Sequence, residues 1–179
     1  CDKASGQKIG RKTMTRLFTA VLAGLMLLST PVLAKQIGKF KDWTIHADGK
    51  GKSKTCWIYS KPVKHEGKYK KRGRIYTMVS YILGGKTVNQ VQFTAGYTFK
   101  KGSSVKVVIG KRTFDLFTNA DKAWGRSEKD DAALVKAMRA GSKMIVTGVS
   151  SRGTRTKDTY SLSGISAAYK AIGKACRVK

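Results

Sequence analysis

Acidic residues are scarce in this chain. Its 179 residues hold 10 Asp and Glu against 37 Lys and Arg, a formal net charge of +27. The carboxylates lie apart from one another, except for Asp130 and Asp131, which read as residues opening a helix. No carboxylate pair is therefore nominated for acid–base hydrolysis. Histidine is scarcer still, and neither His46 nor His65 stands at ligand spacing from Cys, Asp or Glu, so no metal or other cofactor is expected. Cys56 with His46 could in principle form a nucleophile pair, but a half-cystine accounts for Cys56 more simply. There is no G-x-S-x-G, no phosphate-binding loop and no dinucleotide fingerprint. These absences argue for a protein that is not an enzyme.

Long apolar runs are also rare. One stands near the start: Leu17–Leu28 follows the basic residues Arg11, Lys12 and Arg16, and leads through Ser29–Ala34 (STPVLA) to a new composition at Lys35. That order is the n-, h- and c-region of a secretory signal, with cleavage expected after Ala34. The run is shorter than the roughly 20 residues a spanning helix needs, and no later segment is long enough. Met14 fits a translation start, with residues 1–13 lying upstream of it; Cys1 precedes the apolar run, where a lipidated cysteine would follow it. The expected organisation is therefore residues 1–34 as upstream residues plus a cleavable signal, and 35–179 as one domain. Removing the five basic residues and Asp2 of the leader leaves a net charge of about +23.

Three cysteines is an odd number for an exported chain. Cleavage would remove Cys1 and leave Cys56 and Cys176, which an oxidising compartment would join; two buried thiols are the alternative. A bridge across that much chain is worth at most about 4–5 kcal/mol by loop-closure entropy.

The rest reads mostly as strand: Phe40–His46, Lys54–Ser60, Arg74–Leu83, Thr87–Ala95, Val105–Ile109, Arg112–Thr118, Lys143–Ser150 and Thr156–Ser163. Gly84-Gly85 and Gly110-Lys111 mark hairpins. Ser127 is an N-cap with Asp130 three residues on, Leu134, Val135 and Met138 supply an apolar face, and Gly141 ends that helix. A second helix runs from Ile165 to Lys174, with Ile165, Ala168, Tyr169 and Ile172 as one stripe. The fold class expected is mainly β: an antiparallel sandwich or barrel-like single domain with two short α-helices.

The densest signal is the basic stretch Lys61–Arg74 (KPVKHEGKYKKRGR), read as a mobile loop between strands. Lys61, Lys64, Lys68, Lys70, Lys71, Arg72 and Arg74 are its candidate anion-binding residues, with Tyr69 as a contact face. A solvated loop that only keeps the domain soluble is the plain alternative. Weaker clusters are Lys100, Lys101, Lys106, Lys111 and Arg112, and then Arg152, Arg155 and Lys157.

Several stretches taken together, FKDWTIH, TCWIY, DDAALVKAMRAG and the tail VTGVSSRGTRTKDTYSLSGISAAYKAI, resemble the invasion-associated locus B family, over essentially all of 35–179. The resemblance implies an exported alphaproteobacterial protein with a β-sandwich-like fold, in a family whose founding members are linked to entry into red blood cells. It supplies no catalytic residues. Trp43, Cys56 and Cys176 match its pattern as a core aromatic and a bridge. Many members hold a second cysteine pair mid-chain; Phe114–Trp124 contains no Cys, so that bridge is absent here.

The expected function is a non-enzymatic protein of the periplasm or outer envelope, or a secreted one. Its partner would be an anionic envelope component or host surface, held by loop cations, and it would contribute to host-cell interaction. Nucleic acid is the rival polyanion, disfavoured because no recognition helix or paired RNA-binding aromatics are found. An envelope hydrolase with a dispersed site and a purely structural envelope protein are the other rivals.

Overall fold

A computed structural model of the chain describes residues 34–177, which form one compact unit. The leader and its cleavage site lie almost wholly outside the described residues. Eleven strands form a single antiparallel sheet in the order β1-β2-β3-β5-β6-β9-β8-β7-β10-β11-β4. They are β1 (Lys35–Phe40), β2 (Trp43–Asp48), β3 (Thr55–Ser60), β4 (Lys64–Gly67), β5 (Tyr76–Ile82), β6 (Thr87–Thr94), β7 (Ser104–Ile109), β8 (Arg112–Asn119), β9 (Lys122–Trp124), β10 (Lys143–Val149) and β11 (Arg155–Ser161). Two helices, α1 (Glu128–Ala140) and α2 (Ile165–Cys176), complete the fold. The mainly β, antiparallel single domain with two short helices matches the sequence expectation.

Two hairpins fall where glycines mark them, β5–β6 and β7–β8. The strand expected over Phe40–His46 is instead broken by a tight turn at Lys41-Asp42, so that Phe40 pairs with Trp43. Three strands carried no readable pattern. β1 is an exposed edge rich in lysine and glycine, and β9 has three residues. β4 is a four-residue charged edge that exists only through its pairing with β11.

The sheet curls so that strands far apart in its order meet. The rings of Phe93 on β6 and Tyr160 on β11 pack edge to face at 6.2 Å. The Trp43 indole, fully buried, donates to the Ser161 carbonyl at 3.1 Å. Inside lie Ile45, Ile58, Val79, Val91, Val105 and Val146 among others, one contiguous apolar core. α1 packs on β6 and α2 on β2 and β3, so both helices cover inward-facing residues. The Cys56–Cys176 disulfide ties the end of α2 to β3 across 120 positions.

Ser127 caps α1 as expected: its Oγ accepts from the Asp130 N–H at 3.2 Å and donates to the Asp130 carboxylate at 2.9 Å. Asp131 behaves differently from a simple dipole partner. Its side chain turns inward and accepts from the Val91 N–H at 3.3 Å. Gly125 must be glycine for this, since a Cβ there would stand 2.4 Å from Asp131 Oδ1. Burial pushes the Asp131 carboxyl up to about 6, against the pull of the Val91 and Gly125 N–H groups. A carboxyl raised on folding favours the native state while protonated, so its contribution is full below about pH 4 and is lost as pH rises through about 6. Asp131→Asn, which keeps an acceptor oxygen, should match wild type in urea unfolding near pH 4 and exceed it by about 1–3 kcal/mol at pH 7.

The outer face of the sheet divides into two chemistries. Across β8-β7-β10-β11-β4 one row of direct cross-strand neighbours reads Asp115, Lys106, Thr147, Lys157, Glu66. This row is a ladder of exposed ion pairs: Lys106–Asp115 at 3.5 Å, Lys157–Glu66 at 3.4 Å, and Lys64–Glu66 at 3.0 Å. Across β3-β5-β6-β9-β8 the matching row reads Tyr59, Met78, Gln92, Trp124, Phe117. Beside it runs a second row, His46, Trp57, Ser80, Gln90.

Candidate functional site

The basic stretch is not a free loop. The Val63 N–H donates to the Thr159 carbonyl at 2.8 Å, and β4 then zips onto β11. Beyond Gly67, His65 Nδ1 and the Tyr69 hydroxyl meet at 2.6 Å. At the far end the Gly73 N–H donates to the Gly96 carbonyl at 2.9 Å. Gly96 has φ +71°, and a Cβ there would lie 2.6 Å from the Gly73 oxygen, so this crossing needs glycine.

Between these anchors Arg72 enters the interior. Its Nη1 and Nη2 donate to the two oxygens of Asp158, each at 2.7 Å, and Nε donates to the Ala95 carbonyl at 2.7 Å. The guanidinium carbon lies 5.0 Å from the centre of the Tyr97 ring and 5.4 Å from that of Tyr69. The Arg72 and Asp158 side chains are only 3% and 6% exposed. Burial opposes the Arg72 charge, but the Asp158 carboxylate outweighs it and holds the guanidinium above its ordinary pKa. Burial likewise raises the Tyr97 phenol, whose hydroxyl meets Thr156 Oγ1 at 2.6 Å.

Arg72 therefore leaves the set of anion-binding candidates. Three of its five N–H donors are spent on Asp158 and Ala95, and reaching a surface ligand would strip Asp158 of its partner. Lys64 is committed in part to Glu66, whose carboxyl it holds below the usual range by hydrogen bonding. Lys61 and Arg74 come together: both are exposed and line one open cleft of about 380 Å³, with His65, Tyr69 and the edge of the committed Arg72 on its wall. Lys68, Lys70 and Lys71 are exposed beside it.

The second and third basic clusters meet in space, beside the strand formed by the first stretch. A second cleft, of about 550 Å³, is lined by Lys106 of the second cluster, Arg155 and Lys157 of the third, and Glu66 of the first stretch, which pairs with Lys157. Only the β4–β11 pairing makes this visible.

A further concavity went unread in the sequence. Arg139 from α1, Lys170 and Lys174 from α2, and Arg177 just past its end line a groove of about 820 Å³ floored by Tyr81 and Tyr169. The Arg139 guanidinium sits 4.6 Å from the centre of the Tyr169 ring. The signal was present: Lys170, Lys174 and Arg177 recur at i, i+4 and i+7, the solvent side of the same helix whose apolar stripe was read. Among the described residues no group of His, Cys, Asp or Glu is arranged to hold a metal ion, and no helix is long and apolar enough to cross a membrane.

Fold and surface together define a class: a disulfide-tied, all-antiparallel β domain that presents cation-lined concavities. Residues 43–173 match the family model described as invasion associated locus B (IalB) protein, and the chain belongs to that family. It is similar to the crystal structure of invasion associated protein B from Bartonella henselae, at 14% identity and a TM-score of 0.55, covering 78% of this chain and 96% of that one. At that identity the likeness concerns the fold. Among curated proteins nothing matches. The family is associated with an exported bacterial protein and is not a known enzyme family.

Proposed function

We propose that this protein is an exported, non-enzymatic envelope protein that engages an anionic surface component, and through it contributes to contact with a host cell. One observation carries the reading. The ion-pair ladder pairs Asp115 and Glu66 with lysines. The Lys61/Arg74 cleft and the Arg139/Lys170/Lys174 groove, by contrast, have no acidic side chain among the described residues that line them. Uncompensated cations in a concavity focus positive potential and attract phosphate or carboxylate groups. The name of the Bartonella relative supports the host-contact part.

Binding of the purified protein to lipopolysaccharide-bearing vesicles, with neutral vesicles and duplex DNA as comparators, tests this across a salt series. Saturable vesicle binding that exceeds DNA binding and weakens with salt is the expected result, because exposed charges are screened within about 10 Å at 0.1 M. Two variants separate the surfaces: Lys70→Gln/Lys71→Gln/Arg74→Gln, and Arg139→Gln/Lys170→Gln/Lys174→Gln. At least one should lower affinity about ten-fold or more, the equivalent of about 1.4 kcal/mol. Equal binding to every polyanion, or none, would replace this reading with a structural role.

A further inference from the structure

We infer that the groove between α1 and α2 is a site for a phosphomonoester, with Arg139 as its contact residue and with Tyr169 and Asn89 as the residues that position Arg139. This rests on the electrostatic reading above and deepens it, by naming the group that one of its two surfaces takes.

The arginine is supported from behind. Arg139 is exposed in the last turn of α1, and its guanidinium lies 4.6 Å from the centre of the Tyr169 ring. That ring is held in turn. Its hydroxyl donates to the Asn89 side-chain oxygen, and the buried Tyr81 ring meets it edge to face at 5.7 Å. Asn89 sits where β6 bulges. Between the pairs Ser80–Gln90 and Ile82–Thr87, two residues, Val88 and Asn89, stand against Tyr81 alone. The Asn89 φ is +66°, in the left-handed region that asparagine enters more readily than most residues. A bulge re-aims a side chain, and this one is aimed at Tyr169. Gly173 follows Tyr169 by four residues in α2, lines the same groove and puts no side chain over the ring.

Cations in a last helical turn also complement the helix dipole, which accounts for Arg139 and Lys174. It does not account for Lys170, or for a tyrosine and a bulged asparagine behind one exposed arginine. Nor do the dipoles bar an anion, because the end carbonyls are bonded. In α1 the Gly141 N–H donates to the Ala137 carbonyl and Ser166 Oγ to that of Arg139. In α2 the Arg177 N–H bonds the Gly173 and Lys174 carbonyls, and the Lys54 ammonium bonds that of Ala175.

The ligand class follows from the donors and the charge. A guanidinium stacked on a ring keeps its N–H edges free, and that fork matches two oxygens of a phosphate or a carboxylate. Lys170, Lys174 and Arg177 add three more cations, with no acidic side chain among the described residues that line the groove. A carboxylate or a phosphodiester carries one negative charge, whereas a phosphomonoester carries about −1.5 to −2 at pH 7. Four cations around one concavity suit the monoester best. Its carbon body would lie over Tyr81, Tyr169 and Ala167, in a groove whose volume of about 820 Å³ admits a small-molecule group. Such a group is found on a lipid headgroup or on a free sugar phosphate.

The test titrates the purified protein with glucose 1-phosphate by calorimetry. Alongside it run phosphatidylcholine vesicles carrying phosphatidic acid or, at matched surface charge, phosphatidylglycerol. Phosphatidic acid should bind about ten-fold or more tightly than phosphatidylglycerol, and Arg139→Gln and Lys170→Gln/Lys174→Gln should each remove that preference. Saturable binding of glucose 1-phosphate as well assigns the source to a soluble ester; vesicle binding alone assigns it to a lipid. Arg139→Lys, which keeps the charge and loses the fork, should bind both vesicles without preference. Tyr169→Phe keeps the ring and removes its bond to Asn89, and Asn89→Gly keeps the left-handed backbone. Each should weaken phosphatidic acid binding about three- to ten-fold, a hydrogen bond's worth. Neither should have a further effect in an Arg139→Gln background, which a merely structural role would not produce. Lys101→Gln/Lys111→Gln/Arg152→Gln, the loss of three exposed charges elsewhere, should leave the preference in place. Equal binding of the two vesicles by the unaltered protein, or a preference that Arg139→Gln leaves intact, overturns the inference, while salt-sensitive vesicle binding in that case leaves the electrostatic reading standing. An oligonucleotide that displaces both vesicles would assign the groove to phosphodiesters instead.

Discussion

Arg72→Ala is expected to lower the unfolding free energy by about 3–5 kcal/mol, the largest effect of any single change in the basic segment. The cause is not lost attraction alone. Truncation leaves the Asp158 carboxylate, 6% exposed, with no countercharge in an apolar interior next to Tyr160 and Tyr97. It also frees the Ala95 carbonyl and removes the plate against which the Tyr69 and Tyr97 rings pack. Arg72→Lys should recover little, because one ammonium cannot make the paired contact to both carboxylate oxygens and the Ala95 bond together. Replacing both partners, Arg72→Met with Asp158→Leu, should recover most of the loss, since two apolar groups leave no orphaned charge. Urea unfolding at pH 7 measures all three. Lys70→Gln/Lys71→Gln is the control, with stability within about 0.5 kcal/mol of wild type because both side chains are exposed. If Arg72→Ala matched that control, Arg72 would return to the list of ligand-binding cations.

Removing the disulfide ranks second. Cys56→Ser/Cys176→Ser should lower stability by about 2–5 kcal/mol, with the upper end set by the closure entropy of a long loop. Cys56 and Cys176 are fully buried against β3 and α2, so polar serine at both positions adds a desolvation cost that alanine would avoid. Comparison of the Ser and Ala pairs isolates that part. Hydrogen exchange should localise the first loosening to α2. The bridge lies at the helix's last residue, and the apolar contacts of Ile165, Ala168 and Ile172, the Tyr169 hydroxyl bonded to Asn89 and the Lys54 ammonium donating to the Ala175 carbonyl would then hold it. Unchanged exchange in α2 would show that packing alone retains the helix.

Much of the scaffold could be read in advance because local rules and the tertiary fold agree there. The β5–β6 and β7–β8 hairpins follow alternating apolar residues around glycine turns, and α1 follows its cap and stripe. The failures share one cause. β4 and β9 are too short to show an alternation of their own, so their conformation comes from partner strands, β11 for the first and β6 and β8 for the second. Phe40–His46 alternates well enough to look like one strand, yet the turn at Lys41-Asp42 is set by pairing β1 back on β2. Among the site candidates, Lys61 and Arg74 were named by composition, and the fold leaves both exposed on one cleft. Arg72 was misread because a lysine–arginine run carries no mark of which member finds a buried carboxylate. Asp158 lies on β11, and only the curl of the sheet brings it beneath the segment.

The sequence by itself determined the excess of positive charge and the mainly β composition with two helices, which depend on residue type and short-range periodicity and which the chain states directly. The Cys56–Cys176 bridge was one of two readings of an exported chain, and the family came from a resemblance of several stretches taken together. The tertiary structure alone decided which cations remain free and which are consumed. It alone separated the outer face into an ion-pair half and an aromatic half, and placed Asp131 in the interior. Those outcomes depend on cross-strand register and on partners long distances apart in the chain. A shift of one residue in any strand would turn Trp57, Tyr59 and Gln92 from solvent to core, and no local rule encodes that choice.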